Sequence, residues 1–365
     1  MDRGLTRRTF IARTGTGAAS IGLWSGAVPA WAQGPRKVRL TLSWVPQGDS
    51  VWAYVARNQG TWKKRGLDVE ISPGRGSLAA TQALAAGQFD FASADTGVMI
   101  LGASRGLPLK AMGVVTYKNM MGVGMPADSP IRKPKDLEGK KVGSTPASGE
   151  VAYFPVFAQL TGIDPAKIDW VNMDLNVRYR AIMERQIDAM TDYASSAIPP
   201  LVSQGKPVRF FLYSDSGMGK LLQLSLMTQA KTLKDEPALC RDFVDGAFDA
   251  IAYTYRNFDE SIELFMKEVP ESRISATGRE FLRLGLGIFY LCGASDDAMK
   301  HGLGWVDPSR IEYTRDLVVK YLKAPGNPAV DTLFTNELAG KVKLSDAEWG
   351  AVRKRTEEFG KYFSS

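Results

Sequence analysis

Histidine is almost missing from this sequence: His301 is the only one among 365 residues. Cysteine is nearly as scarce, with Cys240 and Cys292 alone. A Ser–His–Asp arrangement would have to use His301, which sits between Lys300 and Gly302 in a helical tail with no nucleophile-elbow motif to accompany it. Metal sites of the usual His/Cys spacing need more of both residues than the chain holds, and no cofactor is implied. A phosphate loop is missing too, because Gly217-Met218-Gly219-Lys220 lacks the spacing and the Ser or Thr of that motif. Long apolar runs are absent: the run Ala18 to Val28 is shorter than the ~20 residues a membrane-spanning helix needs. Nor is there a block of one charge. The formal charge is +7, of which the first 32 residues hold +3 (Arg3, Arg7, Arg8 and Arg13 against Asp2), leaving 7 − 3 = +4, unclustered, for the rest. That is a poor footprint for a nucleic-acid partner.

What is present begins with an export signal. Thr6-Arg7-Arg8-Thr9-Phe10-Ile11 is a twin-arginine pattern, and the modest apolar run after it ends in Ala30-Trp31-Ala32, a small-x-small cleavage site. Residues 1–32 therefore read as a twin-arginine signal peptide, with the mature chain starting near Gln33, periplasmic and soluble. No cysteine stands near the cleavage site, so no lipid anchor is expected there. Cys240 and Cys292 fall in helical patterns, and buried free thiols are the reading that suits a chain folded before export.

Beyond the signal, strand and helix patterns alternate, which argues for an α/β fold with a parallel-type sheet and helices on both faces. Lys37–Leu42, Leu67–Ile71, Phe89–Ala94, Leu109–Val115 and Gly122–Met125 read as strands, and Thr96 reads as the cap of the helix after the third. The pattern restarts at Lys140–Gly143, with further strands at Ile168–Met173, Ile187–Thr191, Val208–Leu212 and Leu221–Met227. From Thr232 the chain reads as helical. Two groups of strands imply two lobes, one of residues 33–120 plus 226–365 and one of 121–225. Crossovers are expected near 115–127 and 213–228.

Two features locate a cleft. The stretch Asp136 to Glu150, DLEGKKVGSTPASGE, is a turn, a short strand, a run of small polar residues and a helix start. Such a turn leaves free backbone N–H groups facing outward at the carboxyl end of a sheet, where open α/β folds bind small ligands. The plain alternative is an ordinary connection capped by Ser148. The second feature is a weak internal echo: Gln88-Phe89-Asp90…Ser93-Ala94 lines up with Gln186-Ile187-Asp188…Thr191-Asp192. Two lobes of similar build would aim Ser93, Ala94 and Asp95 at Thr191, Asp192 and Tyr193 across one cleft.

Several motifs in order resemble a known family. They are Ser43-Trp44-Val45-Pro46, Ala56-Arg57-Asn58-Gln59-Gly60, Gly66-Leu67-Asp68-Val69-Glu70, Ala85-Ala86-Gly87-Gln88-Phe89-Asp90-Phe91 with Asp95, Gly106-Leu107-Pro108, and above all Lys133-Pro134-Lys135-Asp136-Leu137-Glu138-Gly139-Lys140-Lys141-Val142-Gly143. Together they resemble the periplasmic solute-binding proteins of ABC importers, in the family that handles alkanesulfonates, nitrate and pyrimidine precursors of thiamine. The resemblance runs from about Val38 to Thr228. It implies a two-lobe type II periplasmic-binding-protein fold with a helical C-terminal extension, lobes that close on a small-molecule ligand like a hinged trap, a monomer, and delivery to an ABC permease in the inner membrane with no bond made or broken. The family also holds a pyrimidine synthase that consumes its own histidine. At that position this sequence has Ser50, Gln47 stands where the enzyme's motif has Asn, and its cysteine cluster has no counterpart, so that activity is not expected.

The resemblance carries a site over residue by residue. Trp44 would stack its flat face on a planar ligand, with a Trp that packs the first helix onto the sheet as the alternative; Gln47 lies beside it. Asp95 and Thr96 end the third strand. Ser144, Thr145, Ser148, Gly149 and Glu150 form the opening turn of the second lobe, with Tyr153 one turn on and Tyr117 as a weaker candidate. Asp192 and Tyr193 end the echo strand. A sulfonate or nitrate would want Arg75 or Arg178. Glu150, Asp95 and Asp192 repel an anion and accept from amines or ring N–H groups, so a planar nitrogen-bearing ligand such as a pyrimidine is preferred. The alternatives are the same receptor role for an anion and, in a different class, a secreted carboxylate-based enzyme on the same fold.

Overall fold

The computed structural model describes residues 34–146 and 148–362. The signal peptide expected over residues 1–32 lies outside them. Ten strands form two sheets: β1 (Arg36–Leu42), β2 (Leu67–Ser72), β3 (Phe91–Asp95) and β4 (Leu109–Val114), then β5 (Met121–Pro126), β6 (Lys141–Ser144), β7 (Asp169–Asn172), β8 (Ala189–Tyr193) and β9 (Val208–Leu212), and last β10 (Leu224–Gln229). The first sheet has the order β2-β1-β3-β10-β4 and the second β7-β6-β8-β5-β9. Helices α1 (Val51–Gln59), α2 (Ser77–Ala85) and α3 (Thr96–Ser104) follow strands of the first sheet, and α4 (Gly149–Thr161), α5 (Leu175–Met183) and α6 (Ala194–Val202) follow strands of the second. The rest is helical: α7 (Ala230–Asp235), α8 (Pro237–Arg256), α9 (Phe258–Glu268), α10 (Gly278–Gly293), α11 (Asp296–His301), α12 (Pro308–Leu322), α13 (Val330–Leu333) and α14 (Asp346–Gly360).

Both sheets are mixed, which corrects the parallel-type reading. β1 runs parallel to β2 and β3, while β10 is antiparallel to β3 and β4. Likewise β6 runs parallel to β7 and β8, while β5 is antiparallel to β8 and β9. The reversed strand in each sheet is the one that enters directly from the other sheet. The chain passes between them in residues 115–120 and 213–223, inside the two segments expected to cross over.

Apolar periodicity accounts for the layers. β2, Leu-Asp-Val-Glu-Ile-Ser, buries Leu67 and Val69 and exposes Asp68 and Glu70, the alternation of a strand covered on one face. β3 is buried along its whole length, as the centre of the first sheet must be. Phe91 stacks on Phe243 of α8 at 3.9 Å between ring centroids, and Phe243 stacks in turn on Trp62 at 5.4 Å. The Trp62 indole donates to the Phe243 carbonyl (2.9 Å), so this aromatic column is also hydrogen-bonded. Cys240 and Cys292 are buried free thiols. Among the described residues no helix is long and apolar enough to cross a membrane.

Three local expectations fail for identifiable reasons. Asp95, not Thr96, caps α3: its carboxylate accepts from the Val98 N–H (3.0 Å), and Thr96 is the first helical residue. The sequence pattern predicts a helix over Arg178–Arg185, but α5 begins at Leu175, because Asp174 in extended conformation already turns the chain. α6 carries Pro199 and Pro200 within its length and was not expected, since Ala194-Ser-Ser-Ala197 shows no apolar period.

Candidate functional site

The carboxyl ends of β1 and β3 face the carboxyl end of β8 and the start of α4, and a cavity lies where they meet. On the first-sheet side the loops after β1 and β2 are tied together: Gly74 N–H donates to the Trp44 carbonyl (3.0 Å) and Gly76 N–H to the Ser43 carbonyl (2.8 Å). Only glycine fits at position 74, because a Cβ there would sit 2.0 Å from the Leu42 carbonyl oxygen. The cavity is lined by Trp44, Asp49 and Ser77 from one side, by Ser148, Glu150, Asp192, Tyr193 and Ser196 from the other, and by Gln223 at the end of the second crossover and Leu224 at the start of β10. Its free volume is about 20 Å³, room for a single water.

The electrostatics are set by buried carboxyls. Glu150, in the first turn of α4, is completely buried. The Ser148 hydroxyl donates to Glu150 Oε1, and Arg178 Nη1 lies 3.7 Å from the same oxygen. Arg178, also fully buried, donates through Nη2 to Asp192 Oδ2 at 2.8 Å, and the Tyr193 N–H donates to Asp192 Oδ1 at 2.7 Å. One guanidinium thus sits between two carboxylates. Burial pushes the Glu150 carboxyl up to about 7, against the pull of Arg178 and with a further push from Asp192. Asp192 is raised by burial as well. Asp95, held by Val98 N–H (3.0 Å) and Asn119 Nδ2 (3.0 Å), is pushed up to about 7 by burial, and Asp49 to about 6.

Several buried polar atoms here have no hydrogen-bond partner within the protein: Trp44 Nε1, Glu150 Oε2, Tyr153 OH, Arg178 Nε and Tyr193 OH. Such atoms are rare in folded proteins, and each leaves about 1–3 kcal/mol of desolvation uncompensated. Three of them, on Trp44, Glu150 and Tyr193, belong to residues that line the cavity, and an indole donor with a carboxyl acceptor is what a site for a polar planar ligand requires.

The cavity brings together Trp44, Ser148, Glu150, Asp192 and Tyr193 of the residues expected from sequence. Gly149 serves by being small, since a Cβ there would lie 2.2 Å from Tyr193 OH. Asp95 and Tyr153 sit together: a Cβ on Gly97 would lie 2.6 Å from Tyr153 OH and 3.2 Å from Asp95 Oδ1. Gln47 reaches across the cleft, donating from Nε2 to Ser196 Oγ (2.8 Å) and to Asp49 Oδ2 (3.2 Å). Three expected residues point elsewhere. Thr96 bonds Ser225 Oγ (2.7 Å), Ser144 donates to Asn172 Oδ1 (3.3 Å), and Thr145 to the Met173 carbonyl (2.9 Å). Tyr117 is taken up by the Trp305 carbonyl (2.8 Å). Arg75 is exposed, Arg178 is paired with Glu150 and Asp192, and neither lines the cavity, so neither offers a cation to an anion there. Sequence reasoning missed Asp49, Ser77, Ser196 and Gln223 as lining residues; Asp49 was visible only as a helix-start residue, and single Ser and Gln residues carry no local signature. His301 stacks on Trp305 at 3.8 Å and does not line the cavity. Among the described residues no group of three or more His, Cys, Asp or Glu is placed to hold a metal ion.

The riboflavin-binding protein RibY of Chloroflexus aurantiacus is 23% identical over 314 residues, 83% of this chain and 86% of that protein. The formylaminopyrimidine-binding protein of Halalkalibacterium halodurans is 21% identical over 235 residues, 64% of this chain and 71% of that one. A Legionella pneumophila protein named 4-amino-5-hydroxymethyl-2-methylpyrimidine phosphate synthase is 22% identical over 250 residues, 68% of this chain and 78% of that one. In fold the chain is similar to the periplasmic aliphatic sulphonate binding protein SsuA of Escherichia coli, with a TM-score of 0.61 at 16% identity over 83% of this chain and 99% of that one. The two mixed sheets and their helical C-terminal extension are therefore the periplasmic-binding-protein fold. Residues 47–261, more than half of the sequence, match the family described as NMT1/THI5 like, and the chain belongs to that family.

Proposed function

We propose that this chain is the extracytoplasmic solute-binding receptor of an ABC importer. It captures a small planar nitrogen-bearing ligand of pyrimidine type between a lobe of residues 33–120 plus 226–365 and a lobe of residues 121–225. It then hands the ligand, chemically unchanged, to a permease in the inner membrane. It works as a soluble monomer after export through the twin-arginine route and removal of residues 1–32. The observation that carries the ligand class is the charge balance of the cavity. Glu150 and Asp192 share the single guanidinium of Arg178, and Glu150 Oε2 is left without a donor. A ring N–H or amino group satisfies that oxygen, and Trp44 offers an indole face against the ring plane.

An alkanesulfonate or nitrate in the same receptor role is the second reading. The fold likeness to SsuA favours it, but it needs a free cation in the cavity, and Arg75 and Arg178 do not supply one. An enzyme that consumes its own histidine is disfavoured by Ser50, whose hydroxyl is bonded to the Gln47 carbonyl (2.9 Å). A carboxylate-based enzyme would release an altered product. Native mass spectrometry of the protein as purified tests the reading: a bound nitrogen heterocycle, recovered unaltered after incubation, is expected. A bound sulfonate would replace the ligand class, and turnover of the ligand would replace the receptor role.

A further inference from the structure

A second and much larger hollow lies beyond the ligand cavity. Its free volume is about 540 Å³ against about 20 Å³ for the inner one, and only the larger falls in the range of about 300–1,000 Å³ that encloses organic ligands. The same elements line both. On α6, Ser196 faces the inner cavity and Pro200, one helical turn on, faces the outer groove. In the loop after β1, Trp44 lines the first and Pro46 the second; in the loop after β2, Gly76 lines the first and Pro73 the second. Gln47, next in sequence to Pro46 of the groove, bonds Ser196 of the inner cavity (2.8 Å), and the following Gly48 is in contact with Gly285 of α10, where a Cβ on Gly48 would lie 2.1 Å from the Gly285 carbonyl carbon. α10 continues outward from that contact as the groove floor, through Phe281 and Gly278. The groove walls are prolines, Phe265, Phe281 and Val269, with Ser and Thr hydroxyls at the C-terminal side and Glu271 as the one charged lining residue. Ile274, 84% exposed, lies in the segment between Glu271 and Ser275 that forms the lip.

We propose that this groove is a second subsite of the ligand cavity, reached when the Gln47–Ser196 bond opens, and that it takes an uncharged alkyl or aryl substituent carried by the heterocycle held at Trp44 and Glu150. The inference rests on the ligand class proposed above. It makes the natural ligand a two-part molecule, a hydrogen-bonding planar head with an apolar arm. Each methylene that leaves water for the groove raises affinity roughly threefold to fourfold.

The test is calorimetric titration of the mature chain with 4-amino-2-methylpyrimidines bearing a methyl, butyl or hexyl group at C5, and with the isomeric series extended at C2. At least a tenfold gain from methyl to hexyl is expected in one series. Val269→Trp and Ser203→Trp fill the groove from opposite walls, so misfolding of one leaves the other; in either, the hexyl-to-methyl ratio should fall to about one. A wild-type ratio near one in both series, or a gain kept in both filled variants, overturns the subsite. Should no pyrimidine bind, the ligand class fails, and the groove is read separately with the neutral dye N-phenyl-1-naphthylamine. Enhanced fluorescence lost in both filled variants sustains an apolar subsite, and no enhancement with wild type overturns it.

Discussion

Glu150 is the residue on which the site turns, because it is a carboxyl with no exposure, one weak cationic neighbour and one oxygen unpaired. Its folded value of about 7 lies above the ordinary 4.5, and Asp95 is displaced in the same direction. Below about pH 4 the folded and unfolded chains both hold these protons. Between there and pH 7 the folded chain keeps protons that the unfolded chain releases, so stability falls as pH rises across that window. The unliganded protein should therefore melt at a lower temperature at pH 8 than at pH 5.5, by an amount on the order of 1–3 kcal/mol in stability. Thermal unfolding at the two pH values checks this, with a smaller difference expected in Glu150→Gln; equal melting temperatures would place the carboxyls in a more polar setting. Acidity at the start of α4 was legible in the sequence, and so was the pairing of Asp192 and Tyr193 at a strand end. Arg178 was not. Its sequence context offers a cation for an anionic ligand, and only the fold shows it enclosed between two carboxylates.

Among elements, α10 does the most to join the parts of the molecule. It packs on the turn Gly48–Ser50 after β1 of the first sheet and on α6 after β8 of the second, meeting Gly48 through Gly285. Gly48→Ala would put a Cβ 2.1 Å from the backbone of Gly285, so it should destabilise the protein by about 1–3 kcal/mol in urea unfolding, the usual cost of overpacking. Gly350→Ala makes the opposite case. It lies in α14 with nothing within 4 Å of the new methyl, and it should stabilise by about 0.5–1 kcal/mol. A destabilising Gly350→Ala together with a harmless Gly48→Ala would contradict this packing. Strands were the legible elements, since β1 and β2 announce themselves by apolar alternation and β9 by its Val, Phe and Leu content. What sequence could not resolve was the direction of β5 and β10, which depends on the sheet each strand joins. Sequence also placed the cap of α3 at Thr96, one residue late, because both residues cap well and the end of β3 makes the choice.

At the scale of the whole molecule, two sheets meet over a nearly closed cleft bridged by Gln47 and Ser196. A hinged trap predicts that the unliganded protein opens in solution and that ligand reduces its radius of gyration in X-ray scattering; an unchanged profile at saturation would count against closure. The proposed export is tested separately: Arg7→Lys with Arg8→Lys should leave uncut precursor in the cytoplasm, seen by immunoblot of cell fractions, and normal processing near Gln33 would remove the twin-arginine route. The central claim about the site is the ligand class, and calorimetric titration of wild type and Glu150→Gln against an aminopyrimidine panel and an alkanesulfonate panel tests it most directly. Wild type should bind an aminopyrimidine, and Glu150→Gln should lose about 1.5–3 kcal/mol, roughly ten- to a hundredfold, as a charge-assisted hydrogen bond becomes a neutral one. Sulfonate binding that tightens in the mutant, with no pyrimidine bound by either protein, would contradict it.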